Sequence, residues 1–552
     1  MAIGGSMKLK NRAPLWLCLL LVFGLIAASC GGDDDEGTDT GSESEGPTGG
    51  EFAVSICEPQ FLQPGNTQET CGAQVLQSLF TPLVEFDPDT AEPYNVVAES
   101  IESDDQQNWT ITLNEGWTFH DGSDLTAQSY VDAWNWAAYA PNGALNNYFF
   151  GNIEGYADLN PDKGKPKTEE MSGLTVVDDL TFEVALTEPF SGFPLTVGYT
   201  AFYPLPESFF DDPDAYNEAP IGNGPYQIDG EWNHDEGINV VRYEDYPETP
   251  GNADAVEFRI YADVNTAYTD LTAGNLDIID VVPTEVLAQA PQELGEGFVQ
   301  APSSYYGYLG FPLYEEPWDQ LELRQAISMA IDREAITTAI YQGAYTPANS
   351  IISPVVPGFR EEACGEMCTY QPEEAKELWD ANNGPDEISL WFNNDGGHEE
   401  WMEAVSNQLR DALGVEAKFE SLAFEEFLTL QDDHKITGPY RGAWVMDYPH
   451  PQNYIANIYA STGSSQEFGY EELPGSETVD DLIQQANAEP DLDAAIELYQ
   501  EAEDQILADL PSTPLWFGQT QSGFDPETVG NVIFDVFSFV RVAEVEVLNP
   551  DA

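Results

Sequence analysis

The stretch VVAESIESDDQQNWTITLNEGWTFHDGSDLTAQSYVDAWNW, residues 96–136, changes its hydrophobic period partway along. Trp109, Ile111 and Leu113 alternate with polar residues, the period of a half-buried strand. A turn, a second strand and a second turn through His120–Ser123 are expected next. Behind Thr126, a candidate N-cap, Val131, Trp134 and Ala138 fall on one helical face. Strands and helices therefore interleave, which predicts α/β lobes.

The same alternation of elements continues outward. LTVVDDLTFEVAL (174–186) reads as a hairpin turning at Asp178–Asp179. In LELRQAISMAIDREAITTAIYQGAY (321–345), Leu323, Ala326, Ile327, Ala330 and Ile331 keep helical spacing, and Gly343 stops the helix after its continuation. Helices are expected at 399–413, ending at Gly414, at 424–430 and at 491–509. VEAKFES (415–421), the run after Arg441 and PLWFGQT (514–520) read as strands. No repeat of fixed period occurs, and no polar linker follows residue 50, so compact lobes with several chain crossings are expected.

Composition narrows the function. The 552 residues carry 99 acidic and 17 basic side chains, a net charge of −82, while 12 Trp, 26 Tyr and 28 Phe supply large cores. Phosphate binding needs clustered Lys and Arg, so nucleic acid is excluded as a partner, and an anionic membrane surface would repel the chain. Acid spread over the whole length fits a protein exposed to salty water, where screening shortens to roughly 3 Å at 1 M salt.

Residues 1–29 read as a signal peptide: Lys8, Lys10 and Arg12 precede the apolar run Leu15–Ile26, then Ala27, Ala28 and Ser29 lead to Cys30. The run is shorter than the roughly 20 residues a membrane-spanning helix needs. AASC resembles a bacterial lipobox, with Ala27 where Leu is usual, which nominates Cys30 for lipidation and the outer face of the cell membrane as the location. Residues 30–51 form an acidic flexible tether. Four further cysteines, Cys57, Cys71, Cys364 and Cys368, allow three disulfide connectivities. Local pairing, Cys57 with Cys71 and Cys364 with Cys368, closes the shortest loops; a zinc site is the alternative, though CGEMC has no histidine nearby.

Catalytic signatures are missing. There is no G-x-S-x-G elbow and no phosphate loop, and HEEWM (398–402) lacks the second histidine of a zinc protease. No enzyme, metal or cofactor is expected. In PYRGAWVMDYPHPQNYI (439–455), by contrast, Arg441 and Asp447 bracket an apolar run. One reading is an internal salt bridge. The other is a pair of fixed charges for a zwitterionic ligand.

Five segments in order resemble the extracellular solute-binding proteins of ABC importers, the peptide-binding family 5 group. They are 96–136, IGNGPYQI (221–228), RQAISMAIDREAI (324–336), PANSIISPVVPGF (347–359) and DYPHPQNYI (447–455). The resemblance implies a two-lobed periplasmic-binding-protein fold of class II with an extra small domain and hinge closure. By analogy lobe I combines 52–94, 174–295 and 513–552, the small domain is 95–173, and lobe II is 296–512. It implies a peptide ligand, ABC permease partners in the membrane and a monomer; an oligosaccharide or other small molecule is the alternative solute, and a secreted enzyme the alternative class.

The oligopeptide branch carries R-x-x-W-x-x-D, matched by Arg441, Trp444 and Asp447. The resemblance implies that Asp447 pairs with the peptide α-ammonium, that Arg441 faces its carboxylate and that Trp444 borders the side-chain pockets. LWFNNDGGHEEW (390–401) similarly nominates His398, and SSYYGY (303–308) nominates Tyr305 and Tyr306. A strand through 441–447 would leave the backbone of Gly442, Ala443 and Val445 to pair with an extended ligand. A second arginine usual in that branch is absent, with Gln431, Asp432 and Asp433 in its region.

Overall fold

The computed structural model describes residues 49–161, 163–394, 397–461 and 468–550. The expected signal peptide, Cys30 and nearly all of the expected tether lie outside them.

Two 13-residue strands, Phe298–Gly310 and Ser512–Phe524, form the centre of an eleven-stranded mixed sheet. They pair antiparallel from Phe298–Gly523 to Gly310–Ser512. On one flank lie Tyr440–Trp444, Glu387–Asn393 and Glu416–Leu422, in that order. On the other lie Ile278–Ile279, Glu51–Ile56, Ala255–Ile260, Gly237–Arg242 and Tyr226–Ile228, while Tyr345–Pro347 also pairs with the 512–524 strand. The two central strands thus run from one half of the sheet into the other. Their ladder breaks between Pro302 and Tyr306, where Ser303–Tyr305 oppose Gly518 alone. Pro302 lacks the N–H a regular ladder needs there.

Strand alternation builds the core. In Glu51–Ile56, Phe52, Val54 and Ile56 enter the main core, and Ala53 joins a second cluster with Tyr268, Leu271 and Ile279 on the opposite face. Both faces are covered, as expected of a strand with parallel neighbours.

A separate four-stranded antiparallel sheet has the order Ala98–Glu102, Asn108–Leu113, Thr181–Ala185, Leu174–Asp178. The domain boundary expected at 173/174 cuts through it. Asn108 to Thr112 pair with Ala185 to Thr181, so the 174–185 hairpin shares one sheet with strands 98–102 and 108–113. The second strand expected in 108–123 reduces to one bridge, Thr118–Asp124. Helix Ala127–Ala138 does start behind Thr126, whose N–H donates to Ser129 Oγ at 3.2 Å.

The helix expected from residue 321 is two helices, Leu321–Met329 and Arg333–Ala339. Asp332 divides them, because its carboxylate accepts the Ala335 N–H at 3.0 Å and starts a new N-terminus. Glu399–Leu413 ends at Gly414 as expected, with φ of 76° in the left-handed region that favours glycine. The strand after Arg441 stops at Trp444, so Val445, Met446 and Asp447 leave the sheet.

Candidate functional site

Asp447 sits where the chain turns from strand Tyr440–Trp444 into helix Pro451–Tyr459. Asn453, fully buried in that helix's first turn, organises the turn. Its Oδ1 accepts N–H groups from Trp444 Nε1 at 2.9 Å and from Asp447's backbone at 3.0 Å. Two donors facing one atom fix that atom as oxygen, so Nδ2 donates to Asp447 Oδ2 at 3.0 Å. Burial pushes the Asp447 carboxyl up to about 6, and the Asn453 amide only partly counters it.

Asp447 lines a cavity of about 180 Å³. Val445 and Met446 share its side of the wall; Tyr199, Phe537 and Phe539 face it from distant parts of the chain. Glu69 is the second carboxylate there, but it accepts backbone N–H groups from Gln60, Cys71 and Gly72 at 2.8–3.1 Å. Asp447 has the Asn453 amide as its single donor partner among the described residues. It is the acceptor with capacity to spare. Tyr148 and Tyr199 lie within its field: burial raises both phenols, and the Asp447 charge raises them further.

Arg441 forms no ion pair among the described residues. Its guanidinium stands 5.4 Å above the Phe424 ring, and Nε donates to His398 Nε2 at 3.0 Å. Trp401 Nε1 donates to His398 Nδ1 at 3.1 Å. A neutral imidazole has one acceptor nitrogen, so one tautomer serves Arg441 and the other Trp401.

The remaining nominated residues divide. Val445 is 55% exposed beside Asp447, Ala443 and Trp444 are half-buried, and Tyr305 packs edge-on against Tyr345 at 5.3 Å. Tyr306 is corrected: alternation turns it away from Tyr305 into the core, where it is 0% exposed and cannot meet a ligand. Gly442 is corrected too. It is buried with the Tyr308 ring where a Cβ would stand, and it pairs in register with Tyr308. Gly442 is thus a packing residue. The disulfides join Cys57 to Cys71 and Cys364 to Cys368. Cys57, Glu69 and Cys71 form the one cluster of potential metal ligands among the described residues, and its sulfurs are bonded to each other.

Sequence reasoning missed Asn453, Tyr199, Phe537 and Phe539. Asn453 lay inside the quoted 447–455 segment, six residues after the acid it holds. The aromatic residues carry no local signal, since only the fold brings positions 199 and 537–539 to Asp447.

A cleft built by chain segments from both sides of a crossing strand pair, with one under-satisfied carboxylate, defines a ligand-binding protein. Residues 92–466 match the sequence model of the bacterial extracellular solute-binding proteins, family 5, and the chain belongs to that family. It is 25% identical over 550 residues to the oligopeptide-binding protein OppA of Bacillus subtilis, covering 95% of this chain and 97% of that one. It is 26% identical over 464 residues to the dipeptide-binding protein of Escherichia coli, covering 81% and 84%. Among solved structures, MppA, a periplasmic murein tripeptide binding protein in its unliganded open form, aligns with a TM-score of 0.79 at 22% identity, over 90% of this chain and 97% of that one. Listeria monocytogenes OppA bound to peptide aligns at 0.67 and 21%, over 91% and 99%. These two likenesses establish the fold.

Proposed function

We propose that the protein captures extracellular peptides and delivers them to the permease of an ABC importer. The observation that carries this reading is Asp447, a carboxylate on the wall of a cavity with one amide for company. Burial raises its proton affinity, so its ionised form gains from any cation brought beside it. A peptide α-ammonium supplies that cation, and Arg441, with no carboxylate partner among the described residues, receives the carboxylate of ligands long enough to reach it. The peptide-binding relatives support the ligand class.

Lobe I is read as 52–94, 186–295 and 513–552, the small domain as 95–185, and lobe II as 296–512. The crossing at Pro302–Tyr306 is the hinge. Cys30 is read as the lipid-bearing first residue of the mature chain, held at the outer membrane face as a monomer. Binding is not followed by chemistry. Mass spectrometry of ligand co-purifying with native protein tests the reading: stoichiometric intact peptide supports it, whereas sugar, or hydrolysed peptide, overturns it. Cys30→Ala should appear in the medium, and retention of that variant on membranes at high salt would remove the anchor from the proposal.

A further inference from the structure

Opposite Asp447, the hairpin tip 535–539 carries Phe537 and Phe539 into the same cavity. The tip is latched from within. The Asp535 carboxylate accepts the N–H groups of Phe537 at 2.9 Å and Phe539 at 2.8 Å, and Gln77 Nε2 at 3.0 Å. Asp535 N–H donates to Phe539 O at 2.8 Å, and Ser538 N–H to Asp535 O at 2.9 Å. Thr520 Oγ1 donates to Ser538 Oγ at 2.5 Å, and Phe534 bridges Val540. At the hairpin base Arg541 pairs with Glu85 at 3.1 Å and Glu544 at 2.5 Å. So many bonds on so short a loop hold its two rings in place without a ligand.

The wall they form is aromatic and fixed. Phe537 and Phe539 stack at 6.4 Å, and Phe537 meets Phe86 edge-on at 6.0 Å. Tyr199, on the same cavity, packs on Phe149 at 4.5 Å, and Tyr203 stacks on Phe80 at 5.5 Å. A space of about 180 Å³ suits one benzyl-sized group, since an apolar cavity of about 150 Å³ accepts benzene. An α-ammonium on Asp447 leaves the first side chain as the ligand group closest to this wall.

We infer that the 535–539 hairpin selects peptides whose amino-terminal residue is aromatic or large and apolar, with Phe537 and Phe539 as the specificity-determining residues. The inference rests on the peptide reading above and adds the side chain that the site takes. Preorganised rings lose little freedom on binding, so filling the cavity should count almost fully towards affinity.

Calorimetric titration of the wild-type protein with Phe-Gly-Gly, Gly-Phe-Gly, Gly-Gly-Phe and Gly-Gly-Gly is the test. Phe-Gly-Gly should bind about ten- to a hundredfold more tightly than Gly-Gly-Gly and clearly more tightly than the other two. Phe539→Trp, which fills the space, should penalise Phe-Gly-Gly about tenfold more than Gly-Gly-Gly. Equal affinity for the three phenylalanine peptides, or an equal effect of Phe539→Trp on all four, overturns the inference while leaving the peptide reading intact. If no peptide binds wild type at all, the peptide reading itself fails and takes the inference with it.

Discussion

Asn453 grips Asp447 at two points, accepting its backbone N–H and donating to its carboxylate, each at 3.0 Å. The carboxylate is aimed but not neutralised. A site of this kind carries a stability cost in the empty protein that a cationic ligand relieves.

Asp447→Asn isolates that cost. The folded carboxyl titrates at about 6 against an ordinary 3.8, so the folded state binds more protons between those values and this group's contribution to stability falls as pH rises through them. The variant should therefore be more stable than wild type at pH 7, by about 1–2 kcal/mol after allowance for partial exposure, with the gain vanishing near pH 4. Affinity for free peptides should drop about thirtyfold or more. Thermal melts and titrations at both pH values check this; a destabilised variant at pH 7 would contradict it.

Binding itself should depend on pH in the opposite sense. The ammonium needs the ionised carboxylate, which predominates above about 6, so wild-type affinity for a free tripeptide should weaken about tenfold between pH 7 and pH 5. An N-acetylated tripeptide has no ammonium and should bind weakly at both. Titration in buffers of different ionisation heat should show about one proton released per free peptide bound at pH 5.

Arg441 and Asp447 stand out in the sequence because the feature is local: two charges around a tryptophan within six positions, one in the strand and one just past its end. Helix 399–413 was legible because an amphipathic period meets a left-handed Gly414. The split at Asp332 was not, because apolar spacing continues through Ala330 and Ile331 while one carboxylate restarts the helix. Tyr305 and Tyr306 show the limit within a motif. Their order names the strand, but only its pairing decides which ring is fully buried and which packs on Tyr345. Tyr199, Phe537 and Phe539 reach Asp447 through tertiary structure alone.

The Cys57–Cys71 bond ties the end of strand Glu51–Ile56 to the start of helix Thr70–Leu79, just beside Gln68, Glu69 and Thr70 in the cavity wall. Closing a loop of sequence separation 14 contributes about 3 kcal/mol. The double variant Cys57→Ser/Cys71→Ser should lose that much in denaturant unfolding and also bind peptide more weakly, since the wall is less fixed. Cys364→Ser/Cys368→Ser, whose bond spans only four positions elsewhere in the chain, should lose less and bind normally. Equal binding losses in both pairs would detach the first bond from the site.

Arg441 and Asp447 are six residues apart, at most about 20 Å of extended chain. The strand ends at Trp444, so the true span is shorter. An extended ligand rises about 3.4 Å per residue, so the backbone path corresponds to at most about six ligand residues before the reach of the two side chains is added. Arg441→Gln should leave di- and tripeptide affinity near wild type and weaken longer ligands about tenfold or more once the carboxylate reaches position 441. Peptides with an amidated C-terminus should resemble the variant's ligands even on wild type, because they lack the charge Arg441 meets. Titration of alanine peptides of two to six residues, free and amidated, against both proteins gives the length threshold. A uniform loss at every length would instead mean that Arg441 serves the cleft by holding His398 and Phe424, with which it already packs.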